Sequence, residues 1–276
     1  MSTAHIVFIG GGNMAISLIA GLLANQHPAD KISVAEPDTD KCQQLQQQFN
    51  IQTFTDNEQA IAQADVLVLA IKPQIMQIVC KQAAAAVAQS KPLIISIAAG
   101  IRGTDIDRWL GGQNALVRCM PNTPSLLQLG ASGLFANAAC SAAQKQQADH
   151  ILAAAGITLW VDNEQQLDAV TAVSGSGPAY FFLLIEAMQA AGEKLGLSAN
   201  TAQQLSIQTA LGAASMAKES DVSPAELRTR VTSKGGTTAA AIEHFQQHDF
   251  EPLVEAALSA ARNRAIELAD ILGKDT

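Results

Sequence analysis

Ile6-Val7-Phe8-Ile9-Gly10-Gly11-Gly12-Asn13-Met14-Ala15 reads as a buried strand that enters a glycine turn and leaves it as a helix. Four apolar residues precede the glycines, and Met14, Ile16, Leu18, Ile19, Leu22 and Leu23 make the segment that follows an apolar helix. The glycines fit the pattern G-x-G-x-x-A. Gly10 allows the tight turn, Gly12 lets the backbone approach a pyrophosphate, and Ala15 is small enough for helix to pack on strand. The helix then aims free N–H groups and the positive end of its dipole at the anion. A strand–helix turn in another kind of α/β protein would share the pattern, but the apolar flanks favour a dinucleotide site.

Outward from this turn, strands and helices alternate. Lys31–Ala35 reads as a second parallel strand ending at Glu36, about 20 residues past the glycines, where an acid accepts hydrogen bonds from ribose hydroxyls and repels an extra 2′-phosphate. A solvated loop acid ahead of Pro37 is the plainer alternative. No arginine lies in this loop, and Lys41 is the nearest cation downstream. Further strands are expected at 51–54, 66–71, 93–98, 115–119, 131–136 and 157–161. The run at 66–71 is apolar on both faces, as a central parallel strand should be. In a doubly wound sheet the ligand crosses the carboxyl ends of the strands. Ala70, Ile71, Lys72 and Pro73 should therefore line its crevice, and the small residues Ala98, Ala99 and Gly100 suit close approach of a flat ring. Met120-Pro121-Asn122-Thr123-Pro124 is a rigid turn that either closes the sheet or walls the site.

From Leu167 onward only helical patterning remains. The expected division is a dinucleotide-binding α/β domain over 1–164 and an all-α domain over 165–276. Pro178 suits the first turn of a helix with Ser176 or Gly177 as its cap and Gly196 as its terminator. Between them the helix is apolar nearly all round, which a partner subunit satisfies most easily, so a homodimer through these helices is expected. A second long helix follows Ser198, and Ser223-Pro224-Ala225-Glu226 has the form of a capping box. Val231-Thr232-Ser233-Lys234-Gly235-Gly236-Thr237-Thr238 is a second glycine turn opening a helix expected from Ala239. It offers a carboxylate backbone N–H groups and the hydroxyls of Ser233, Thr237 and Thr238. Alternatively Thr237 or Thr238 is simply the N-cap.

Composition narrows the partners. A net charge of −8 with both signs interspersed argues against nucleic acid or an anionic membrane, so an anionic ligand must be held locally. The four cysteines form no C-x-x-C pair and fit reduced thiols in a cytoplasmic protein. No secretory leader is legible at the N-terminus, and the longest apolar run, 179–185, is too short to span a bilayer. His244 and His248 have the spacing of a metal pair but no third ligand nearby, so no metal is expected.

Taken together, GGGNMA, AIKP at 70–73, SIAAG at 96–100, MPNTP at 120–124, DAVTAVSGSGPAYFF from Asp168 and VTSKGGTT at 231–238 resemble pyrroline-5-carboxylate reductases, in that family's order. The resemblance implies reduction of 1-pyrroline-5-carboxylate to L-proline by NADPH or NADH, on an N-terminal Rossmann-like domain followed by a helical substrate and dimerisation domain. It implies that Gly10, Gly11, Gly12, Asn13, Met14, Asn57, Ala70–Pro73 and Ala98–Gly100 hold the cofactor. Glu164, Ser233, Gly235, Gly236, Thr237 and Thr238 would frame the substrate, with Thr238 hydrogen-bonding the ring nitrogen. Rings of dimers occur in the family. Lys234 stands where the family often has proline. Glu36 departs from the neutral or basic residue usual in members that use NADPH, which opens the site to NADH.

A β-hydroxyacid dehydrogenase has the same two-part layout but needs a lysine early in the helix after the boundary, and here only Lys194 is available, about four turns past Pro178. A non-catalytic redox sensor binding NAD(P) is the remaining alternative.

Overall fold

The computed structural model describes residues 3–275. Its strands are β1 (Ile6–Ile9), β2 (Ile32–Ala35), β3 (Gln52–Phe54), β4 (Val66–Leu69), β5 (Leu93–Ser96), β6 (Leu116–Met120), β7 (Gly130–Ala136) and β8 (Gly156–Trp160). Between them run α1 (Asn13–Ala24), α2 (Thr39–Phe49), α3 (Asn57–Ile61), α4 (Pro73–Ser90), α5 (Gly103–Trp109) and α6 (Ala142–Leu152). The strands form one sheet in the order β3-β2-β1-β4-β5-β6-β7-β8. All neighbours are parallel except β6 and β7, which run antiparallel. The order reverses beside β1, so the glycine turn after β1 opens at the switch point where such sheets bind ligands.

Alternation along the strands builds two apolar layers. Ile6, Phe8, Val66, Val68 and Ile95 face α1 and α6 residues such as Leu18, Ile19, Leu22 and Ile151. Val7, Ile9, Leu67, Leu69 and Ile94 face Met76, Cys80 and Val87 of α4 and Ile106 and Trp109 of α5. Each fully buried side chain of this size contributes about 1.5–3 kcal/mol, so the sheet is a rigid platform for the loops at its carboxyl edge. The cysteines are unpaired, and burial pushes the Cys80 and Cys119 thiols up to about 12. These two behave as small apolar residues.

After β8 the chain is helical: α7 (Gln166–Val170), a π turn at Thr171–Gly175, α8 (Gly177–Lys194), α9 (Ala199–Glu219), α10 (Pro224–Arg230), α11 (Thr237–Gln247) and α12 (Phe250–Leu272). The change from sheet to helix thus falls between Trp160 and Gln166. Compactness divides the chain differently: one unit runs up to Ser176 and takes the chain back from Ala261 on, and the other spans Gly177–Ala260. Within the first unit, Gly133 of β7 lies against Val170, and Asn122 ties the β6–β7 turn to Ser174. Asn122 also accepts from the Ala131 N–H at 2.9 Å, so the two-proline turn helps close the sheet. The returning end of α12 is fastened by Arg102–Asp270 at 2.6 Å and by the Trp109 indole N–H donating to Asp275 at 3.0 Å.

The 177–260 unit has little core of its own. Ala202 is its one buried hydrophobic residue among those described, while Phe181, Phe182, Leu183 and Leu195 are 63%, 65%, 66% and 86% exposed. With α7 and the π turn joined to α8, the helical run Gln166–Lys194 is long and apolar enough to cross a membrane by length and composition alone. Asp168 and Glu186 interrupt it, and an unpaired interface helix meets the same test. His244 and His248 stack at 4.2 Å on an exposed helix face, and no group of metal-binding side chains occurs among the described residues.

Candidate active site

Five of the helix starts are capped by a nearby side chain. Asp38 accepts from the N–H groups of Asp40 and Lys41, Asp56 from Glu58 and Gln59, Ser198 from Thr201 and Ser223 from Glu226. Ser141 and Gln144 form a complete capping box. At α1 the N-cap is Gly12, no side chain caps it, and its first turn carries no acid. Its leading N–H groups have no acceptor within the helix.

The glycines differ in what requires them. Gly10 has φ +93°, and a Cβ there would lie 2.7 Å from the Ala70 carbonyl oxygen and 2.8 Å from Ile71 Cγ2. Gly11 donates its N–H to Glu36 Oε2 at 2.9 Å, and a Cβ there would lie 2.7 Å from Leu45. Gly12 has φ −74°, open to any residue, and a Cβ would meet nothing within 4 Å. No contact of the chain with itself requires glycine at 12. The open space above Gly12, over uncapped N–H groups, fits a pyrophosphate.

That space belongs to a cavity of about 550 Å³ lined by Gly10, Gly11, Gly12, Glu36, Lys41, Asn57, Ala70, Ile71 and Lys72. Asn13 and Met14 open α1 beside it, and Pro73 opens α4. Ala98, Ala99 and Gly100 follow β5 but are not among the residues lining it. Gly100 has φ +69°, and a Cβ there would sit 3.3 Å from Leu268 Cβ, so turn geometry and the packing of α12 already account for this glycine. Glu36 is nearly buried rather than a solvated loop acid. Besides Gly11 it holds Lys41 Nζ at 3.0 Å.

Glu164 sits in a second cavity of the same unit, lined by Arg102, Arg118, Asp168 and Arg262. Its Oε1 accepts from Arg118 at 2.9 Å and from the Gly103 N–H at 2.5 Å. It thereby caps α5 from sixty-one residues away. Asp168 lines the same cavity, and burial raises its carboxyl above the ordinary range against the pull of Arg118 and Arg102. Arg118 escaped the sequence reading, although an arginine inside the apolar strand 115–119 is the signal that marks it.

In the other unit, Gly235 adopts φ +71° and Gly236 is the N-cap of α11, with no side-chain cap. Thr237 and Thr238 are the first two helical residues, so neither is the N-cap and the helix starts two residues earlier than expected. The Ser233, Thr237 and Thr238 hydroxyls have no hydrogen-bond partner among the described residues.

Comparison with known proteins decides the family. A Pseudomonas aeruginosa protein named pyrroline-5-carboxylate reductase is 57% identical over 274 residues, 99% of this chain and 100% of its own length. The chain belongs to the pyrroline-5-carboxylate reductase family. The Vibrio alginolyticus reductase is 45% identical over 97% of this chain and 98% of its own. The family model for pyrroline-5-carboxylate reductase dimerisation matches residues 164–268, and one for coenzyme F420-dependent NADP oxidoreductases matches 5–100. Among solved structures, a Coxiella burnetii pyrroline-5-carboxylate reductase superposes with a TM-score of 0.94 at 44% identity, covering 97% of this chain and 99% of its own. A Plasmodium falciparum reductase with NADP bound gives 0.84 at 29% identity, covering 98% and 99%.

Two predictions follow from the geometry. Gly12→Ala should leave stability within about 0.5 kcal/mol of wild type while weakening dinucleotide binding at least tenfold, whereas Gly10→Ala should cost about 1–3 kcal/mol in urea unfolding. Glu164→Ala strands Arg118 and the Gly103 N–H, and should cost about 2–4 kcal/mol in the same assay. Full stability with a raised KM for substrate would instead place Glu164 at the substrate.

Proposed function

We propose that this chain reduces 1-pyrroline-5-carboxylate to L-proline with NADPH or NADH, the last step of proline formation, in the cytoplasm. The full-length identity to reductases of that name carries the reading. The family match removes support from the hydroxyacid dehydrogenase and redox-sensor alternatives.

A bound reduced nicotinamide supplies the hydride, and the C=N carbon of the ring accepts it. A protonated cyclic imine is a strong hydride acceptor, and its proton can come from water before binding, so the protein must orient more than it must donate. The chain's part divides among three groups of residues. The uncapped start of α1, with Gly10–Met14, holds the pyrophosphate, and Glu36, Asn57 and Ala70–Pro73 seat the rest of the dinucleotide, with Ala98–Gly100 toward the ring. Ser233 and the Gly235–Thr238 turn hold the substrate carboxylate on N–H groups and hydroxyls. Thr238 hydrogen-bonds the ring nitrogen, and Glu164 supports the arrangement by holding α5 and Arg118.

The exposed apolar face of α8 supports a homodimer through the helical domain, the unit from which larger rings are built. A partner covering that face also excludes water from a site where hydride is transferred. Nothing in this reading calls for nucleic acid, membrane or metal.

Initial rates of NADPH and NADH oxidation with 1-pyrroline-5-carboxylate test the activity. Turnover with either is expected, and Thr238→Ala should lower kcat/KM by more than threefold, about 0.7 kcal/mol. Tight dinucleotide binding without turnover would overturn the assignment.

A further inference from the structure

Lys41 was reached by no motif, yet it stands at the point in the cofactor cavity where NADP and NAD differ. Glu36 follows β2, and Lys41 lies in the first turn of α2 behind the Asp38 cap. Both line the cavity. The two partners are held unequally. Glu36 Oε2 takes the Gly11 N–H at 2.9 Å as well as Lys41 Nζ at 3.0 Å, its Oε1 has only a 3.5 Å approach from the Asp38 N–H, and its side chain is 11% exposed. The Lys41 ammonium has Glu36 as its one partner among the described residues, and its side chain is 37% exposed. The carboxylate is thus fixed by the glycine turn, while the ammonium sits on a flexible four-carbon stem held by one half-exposed ion pair.

We propose that Lys41 is the specificity residue that admits a 2′-phosphate, pairing with it while screening Glu36, and that Glu36 takes the ribose hydroxyls when the phosphate is absent. The acid at the end of β2 in this fold faces the ribose 2′ position, so a cation 3.0 Å from it is placed to meet a phosphate there. Glu36 alone repels that phosphate. With the Lys41 ammonium standing between the carboxylate and the phosphate the repulsion is offset, and one cavity then serves both dinucleotides. Lys72, the other lysine of the cavity, is the N-cap of α4 and forms no ion pair with Glu36. The inference rests on the dinucleotide reading of the cavity.

The test is calorimetric binding of NADP+, NAD+ and adenosine 2′,5′-bisphosphate to the full chain and its Lys41→Met, Lys41→Arg and Lys72→Met variants. Loss of one charge-assisted contact predicts that Lys41→Met weakens NADP+ and the bisphosphate at least about tenfold while NAD+ changes less than about threefold. Lys41→Arg should restore NADP+ affinity, and Lys72→Met should shift NADP+ and NAD+ together. NADP+ binding unchanged in Lys41→Met, or both dinucleotides weakened equally, overturns the role given to Lys41 while leaving the cofactor reading intact. Wild-type protein binding neither dinucleotide overturns both.

Discussion

A helix start must find acceptors for its leading N–H groups, and how this chain meets that demand organises the rest of the structure. At five helices the chain supplies the acceptor itself: Asp38, Asp56, Ser141, Ser198 and Ser223 each cap the helix they precede, while α4 opens on Pro73, which has no N–H to satisfy. The start of α5 is satisfied at long range by Glu164. At α1 and α11 the chain places glycine at the N-cap and no side-chain acceptor. These are the two helices to which the proposed reaction assigns its anions, a pyrophosphate and a carboxylate. On that reading, the demand left unmet by the fold is the binding energy offered to ligands.

The same division between what the fold completes and what it leaves open recurs in the hydrophobic surface. The first unit buries two full layers against its sheet. Between Gly177 and Ala260 the large apolar side chains remain exposed, and the close contact of Gly192 with Ala202, 3.2 Å for a Cβ, only pins α8 to α9. Helices of this kind gain stability from burial rather than propensity, so the apolar face needs a partner.

Much of this was legible along the chain. The switch from period two to period 3.6, the glycine turn and the cap residues are local signals, and they located the parallel strands, α1, α9 and α10 closely. What escaped depends on contacts across the sequence. The antiparallel turn of β7 leaves no mark in its own residues. The returning end of α12 is bound by Asp270 and Asp275, which read alone as ordinary tail acids. Glu164 carries no local sign that it caps a helix at Gly103. At the candidate site, Gly10 was readable because the turn demands a positive φ, and Glu36 because it ends the second strand where this fold places an acid. The Glu36–Lys41 pair, with its carboxylate also held by the glycine turn, emerges only once β2, α2 and that turn are seen together.

Residue-resolved amide hydrogen exchange tests whether the bare starts of α1 and α11 are the anion sites. Asn13, Met14, Thr237 and Thr238 would be followed in free protein, with saturating NADPH and with L-proline. Fast exchange is expected in the free protein, with NADPH slowing Asn13 and Met14 at least about tenfold and L-proline slowing Thr237 and Thr238. Saturation by NADPH with Asn13 and Met14 still exchanging as in the free protein would contradict that assignment.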